Sequence, residues 1–149
     1  MLRRLLLAVA FTLFASTVHA QTFRVPFHTV NGMILLDAQV NGKPAALLLD
    51  TGANSTIISA EAAGLAAVQL KALLATKAGT GAEGDYIARE VDLKLSNRHW
   101  FNRRVWVMNL SDASKRLDTP IDGFVGQDLL REFSVVRIDY KAGAVEFEK

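Results

Sequence analysis

An all-β domain carrying one or two short helices is the fold class that the sequence predicts, on three observations. Apolar runs of strand length recur along the chain, separated by turn signals such as Asn41-Gly42 and Lys141-Ala142-Gly143. In the run Tyr86–Leu95, Ile87, Val91, Leu93 and Leu95 alternate with Ala88, Glu90, Asp92 and Lys94, the period of a half-buried strand that only Arg89 breaks. Stretches of helical composition are few, and 149 residues suit one domain with a core of its own.

Residues 1–20 read as a secretory signal peptide. Arg3 and Arg4 precede a largely apolar run over residues 5–15, too short to span a bilayer, and Val18 and Ala20 occupy the positions at which a cleavage site wants small residues. The mature domain is then expected over residues 21–149, without stable membrane insertion, in a secreted, periplasm-like location. Loss of Arg3 and Arg4 lowers the 17 basic side chains to parity with the 15 acidic ones. The basic excess that a nucleic-acid partner would require goes with them, so no nucleic acid is expected. Arg98, His99, Arg103 and Arg104 cluster locally, as the charges of a solvated loop or edge strand do.

Along the mature chain, Met33–Val40 and Lys43–Leu49 form a hairpin around Asn41-Gly42, with Pro44 near the turn where it costs little. Residues 59–75 are rich in Ala and Leu and by propensity alone would make one helix capped by Ser59, but Gly64 interrupts it at about 1 kcal/mol. The expectation is a short helix ending near Gly64 and a strand over residues 68–76. Residues 105–108 suggest a further strand. Residues 128–133 suggest a short helix with Asp128 capping its start, and residues 135–140 and 144–147 a closing hairpin with Val145 and Phe147 inward.

The chemistry lies in residues 46–58, where the apolar run Ala46-Leu47-Leu48-Leu49 delivers Asp50 into the turn Thr51-Gly52-Ala53-Asn54-Ser55, and Thr56-Ile57-Ile58 resumes the apolar character. Asp, Thr and Gly are at home in any turn, so the triplet alone also fits a plain hairpin. Its flanks sharpen it: the stretch resembles the signature of the retropepsin-like aspartic proteases, an apolar strand followed by Asp-Thr-Gly-Ala, and is most similar to that of bacterial secreted members. A second element of that family follows in order, Phe124-Val125-Gly126 before a short helical run. Between them, residues 77–84 carry Gly79, Gly81 and Gly84; they resemble in position the family's flap, although an ordinary hairpin loop fits them as well.

The resemblance implies a retropepsin-like acid protease fold, a closed β-barrel lobe acting as a homodimer, and an aspartic-type endopeptidase on peptide or protein substrates. It implies Asp50, Thr51 and Gly52 as the catalytic turn, with Ala53, Gly79, Thr80, Gly81, Phe124, Val125 and Gly126 around the substrate. This chemistry needs two carboxylates about one water. The only other candidate triplet, Asp118-Thr119-Pro120, has Pro where the turn requires Gly and reads as a surface turn, so the second carboxylate must be Asp50 of an identical chain. The alternative function is a catalytically silent domain of the same fold that binds a peptide or partner; a third, a barrel for an apolar ligand, would have no use for Asp50. With no cysteine, thiol nucleophiles, disulfides and Cys-ligated zinc are excluded. His28 and His99 are distant in sequence, and neither a His-Glu-x-x-His nor a Gly-x-Ser-x-Gly element occurs, so no metal or other cofactor is expected. Trp100, Phe101 and Trp106 read as core or interface aromatics rather than a peptide surface.

Overall fold

A computed structural model describes residues 22–79 and 84–149; the expected signal segment and residues 80–83 of the expected flap, Thr80 and Gly81 among them, lie outside them. In chain order the elements are β1 (Thr22–Val30), β2 (Met33–Val40), β3 (Lys43–Leu49), β4 (Ile57–Ser59), α1 (Ala67–Gly79), β5 (Tyr86–Leu95), β6 (Arg98–Met108), α2 (Ser111–Leu117), β7 (Gly123–Val125), α3 (Gln127–Leu130), β8 (Val135–Asp139) and β9 (Ala144–Glu148). Among the described residues no helix is long and apolar enough to cross a membrane.

Six strands close on themselves in the order β2, β3, β7, β4, β6, β5 and back to β2. β1 pairs with β9 through Thr22–Pro26 and then with β2 through Phe27–Val30, and β9 pairs with β8, so a three-stranded antiparallel sheet leans on the barrel. Asn-Gly turns set two of the hairpins. Asn41 and Gly42 have φ of 52° and 77°, both positive as a two-residue turn matching the twist of its strands demands, and Asn31-Gly32 repeats the device between β1 and β2.

The barrel interior is a continuous apolar cluster that includes Val25, Leu36, Leu47, Ile58, Leu93, Val107, Val125, Leu129 and Phe147. Val145 and Phe147 both point inward, as expected. A smaller second cluster lies on the other face of β2 and β3: Leu35, Leu48 and Ile121, with Met33, Phe124 and the α2 residues Ala113 and Leu117 packed against them.

Three local expectations are corrected. Residues 67–79 are helix, not strand: both edges of the three-residue β4 are taken by β6 and β7, which leaves a following strand nowhere to pair beside it. The Ala and Leu propensity of the segment then prevails, and the Gln69 side chain accepts the Ala66 N–H at 2.9 Å, half of a capping box. The helix expected before Gly64 is a turn instead. Ser59 ends β4 and its hydroxyl accepts the Ala62 N–H at 3.1 Å, while Gly64 closes the turn at φ 79°. Finally, α3 covers Gln127–Leu130 rather than residues 128–133, and its cap position is Gly126, which has no side chain to offer; Asp128 lies inside the first turn with its carboxylate on Thr56. Asp118 does sit in a surface turn, as the left-handed residue that ends α2.

Candidate active site

β3 reaches Leu49, the chain turns through residues 50–56, and β4 runs back alongside. β7 is inserted between the two, parallel to β3 through Leu47–Gly123, Leu48–Phe124 and Leu49–Val125, and antiparallel to β4. The Asp50 turn therefore arches over the C-terminal end of β7. Such an arch leaves no space for side chains beneath it. A Cβ on Gly123 would lie 2.3 Å from the Ile57 carbonyl oxygen, and one on Gly126 would lie 2.5 Å from the carbonyl carbon and oxygen of Ser55.

The arch is tied down along its length. Asp50 N–H donates to the Val125 carbonyl at 3.1 Å, Gln127 N–H to Ala53 at 2.8 Å and Asp128 N–H to Asn54 at 3.2 Å. The Gln127 side-chain amide donates to the Thr51 carbonyl at 2.7 Å. Thr56, fully buried, closes the turn: its N–H and its hydroxyl both donate to Asp128 Oδ1, at 2.8 and 2.7 Å, and its hydroxyl accepts the Gly126 N–H at 3.3 Å. Within this frame the Asp50 carboxyl is half-buried and accepts the Gly52 N–H at 2.9 Å. Strand alternation puts Asp50 on the same face as Leu48 and, through the β3–β7 register, Phe124, so the carboxyl stands at the edge of the second apolar cluster.

Asp50, Thr51, Gly52, Ala53, Phe124, Val125 and Gly126 are thus brought together. Val125 faces the barrel interior and is fully buried, so it meets the turn through its backbone. Gly79 ends α1 and is not part of a hairpin strand. A cavity of about 980 Å³ lies away from this turn, at the opposite end of β7 between α1 and α2, lined among others by Leu65, Leu70, Leu74, Leu110 and Ile121.

Sequence reasoning missed Gln127, Asp128 and Arg103 as partners of the turn. Gln127 and Asp128 adjoin the Phe124-Val125-Gly126 element, a usable signal; Arg103 lies 25 residues from Asp128 with none. Arg103 is not the solvated cluster member expected, since its side chain is only 14% exposed and forms ion pairs with Asp128 and Glu132. Trp100 also turns inward, packing on Phe23 and Phe133 and donating its indole N–H to Glu132 at 2.9 Å. Burial alone would raise the Glu132 carboxyl, but hydrogen bonds from Trp100 and Arg103 and the charges of Arg103 and Lys149 outweigh it and hold it below the ordinary glutamate value. A carboxylate lowered on folding stabilises the native state above the ordinary value and loses that contribution as pH falls through the folded value. Glu132→Gln is therefore expected to be less stable than wild type at pH 7, with urea midpoints converging as pH falls below the ordinary glutamate range; parallel curves would show that Glu132 is not coupled to folding.

The chain has counterparts among known proteins. A family model described as aspartyl protease matches residues 36–129, from β2 into α3. No curated protein matches the chain significantly. Among solved structures the chain is similar to a retropepsin-like aspartic protease from Rickettsia conorii, with TM-score 0.50 and 16% identity over 87% of this chain and 91% of that one. It is also similar to the retroviral protease-like domain of Ddi1 from Leishmania major, with TM-score 0.48 and 17% identity over 79% and 88%. The fold is a single retropepsin-like lobe. With the family match covering more than half of its residues, the chain belongs to the aspartyl protease family.

Proposed function

We propose that the chain is an aspartic endopeptidase that works as a homodimer, each copy contributing one Asp50. The observation that carries this reading is the Asp50 carboxyl itself, oriented by the Gly52 N–H on a turn anchored to β7 and α3, with Thr51 and Gly52 exposed beside it where a second copy can approach. One Asp50 carboxylate takes a proton from water as the oxygen attacks the scissile carbonyl, while the other, protonated, gives its proton to the carbonyl oxygen. Collapse of the tetrahedral intermediate, with a proton returned to the nitrogen, breaks the C–N bond and leaves an acid and an amine. In this reading Thr51 bonds across the two-fold axis and Gly52 lets the two backbones meet. Ala53, Phe124 and the backbone of Val125 and Gly126 border the substrate. The signal-like pattern of residues 1–20 supports maturation near Gln21 and action in a periplasm-like compartment.

The test is cleavage of an unbiased peptide mixture by the mature chain at about pH 4 to 7, with and without a statine-type transition-state mimic. Cleavage blocked by the mimic, and falling faster than linearly on dilution as a dimer dissociates, is the expected result. No cleavage at concentrations where the dimer is populated would leave a silent peptide-binding domain.

Specificity gives a further prediction. The Phe124 side chain walls the apolar cluster beside Asp50, so Phe124→Ala should open room for larger substrate side chains. Their kcat/KM should rise about tenfold relative to small ones, the scale on which an apolar pocket discriminates, as read from the cut-site profile. An unchanged profile would place the substrate side chain elsewhere.

A further inference from the structure

Behind the Asp50 turn lies a chain of polar contacts that the proposed chemistry does not use. It starts at Arg103 in β6, whose Nη2 donates to the Asp128 carbonyl at 2.9 Å and lies 3.5 Å from Asp128 Oδ2. Its Nη1 donates to Glu132, which the Trp100 indole holds from the other side. The two oxygens of Asp128 are divided: Oδ2 faces Arg103, whereas Oδ1 receives both the N–H and the hydroxyl of Thr56. Thr56 in turn receives the Gly126 N–H, one residue beyond the carbonyl that holds Asp50.

We infer that Arg103 is a positioning residue of the proposed active site: by holding Asp128 in one rotamer it fixes Thr56 and Gly126, and through them both ends of the Asp50 turn. The inference rests on the protease reading of Asp50. The geometry favours this over a role in packing α3 alone. Nη2 is spent on Asp128 in α3 and Nη1 on Glu132 just after it, while Nε is left buried without a hydrogen-bond partner, so these acceptors dictate how the guanidinium lies. The fork is also specific. A guanidinium reaches Asp128 and Glu132 with separate, fixed Nη groups, whereas an ammonium offers a single nitrogen without that fork. Without it, the Asp128 side chain, already 31% exposed, is free to swing toward water and release the Thr56 hydroxyl.

Loss of this restraint shifts the turn by a fraction of an ångström, and displacement on that scale costs rate rather than binding, since alignment is needed chiefly in the transition state. Arg103→Gln in the full mature chain is expected to lower kcat about 10- to 100-fold with KM within about twofold, and Arg103→Lys to recover part of that loss. Because Arg103 acts through Asp128, adding Asp128→Ala should cost little more than either change alone, a non-additivity that general destabilisation would not produce. In Arg103→Gln the amides of Thr56 and Gly126 should exchange about tenfold faster, while those of Leu36 and Val145 keep their protection. Unchanged kcat in folded Arg103→Gln, multiplicative effects with Asp128→Ala, or uniformly faster exchange would each overturn the inference. If Arg103→Gln does not fold, Arg103→Lys carries the same measurements. Should the wild-type chain cleave nothing, the protease reading falls, yet the exchange pattern still decides whether Arg103 holds the turn.

Discussion

Asp50→Asn is expected to abolish peptide cleavage, a loss of about 10³-fold or more, while leaving the fold intact. General acid–base catalysis by one positioned group contributes about 10² to 10⁴ in rate, and in a homodimer the single substitution removes both carboxylates at once. The fold should survive because Asn keeps the oxygen that accepts the Gly52 N–H, and because the turn is held mainly by backbone bonds to Val125, Ala53 and Asn54 and by Gln127. The same variant tests the assembly. After equal amounts of wild type and Asp50→Asn exchange subunits, an isologous dimer with one shared site retains about a quarter of the wild-type activity; a monomer with a self-sufficient site would retain about half. Retention of full activity by Asp50→Asn alone would remove Asp50 from the mechanism.

What the sequence made legible follows from the range over which each feature is determined. Asn41-Gly42 needs only its neighbours: two positive φ angles between apolar runs specify a turn, and the hairpin came out as read. Asp50-Thr51-Gly52 was legible because its apolar flanks extend to the second element at Phe124-Val125-Gly126, which the fold inserts directly beneath it. Residues 67–79 were misread because the strand alternative depends on whether an edge is open beside β4, a property of the closed barrel that local composition does not encode. Arg103 was misread for a related reason. Its neighbours Arg98, His99 and Arg104 suggested a solvated cluster, yet the inward face of β6 carries Arg103 to Asp128 in α3 and Glu132 just after it, carboxylates that nothing in its own segment announces. Local turn chemistry was thus readable from residue types, whereas burial of a charge, set by strands and helices far apart in sequence, was not.

Gly126→Ala should be among the most destabilising single changes in the chain, costing about 3 kcal/mol or more, at or beyond the upper end of what overpacking usually costs. The contrast is with Gly42, where an added Cβ meets nothing within 4 Å and only the left-handed φ of 77° opposes it, a penalty of about 1 to 2 kcal/mol. At Gly126 the obstacle is main chain: the carbonyl carbon and oxygen of Ser55 at 2.5 Å and its nitrogen at 2.9 Å. No rotamer change relieves a clash with backbone, so either β7 withdraws or the arch over it lifts. Withdrawal pulls Val125 from the core and breaks its bond to Asp50 N–H; lifting stretches the bonds from Gln127 and Asp128 to Ala53 and Asn54. Urea unfolding at fixed protein concentration reads the cost, and a Gly126→Ala midpoint close to that of Gly42→Ala would show that the turn is not seated on β7 as described. Either relaxation also moves Asp50 relative to its counterpart in the proposed dimer, so the fraction of Gly126→Ala that folds should cleave peptide more slowly than its abundance accounts for. Gly42→Ala, at the far end of β3, should lose stability without losing turnover per folded molecule, which separates the role of glycine in admitting a backbone from its role in making a turn.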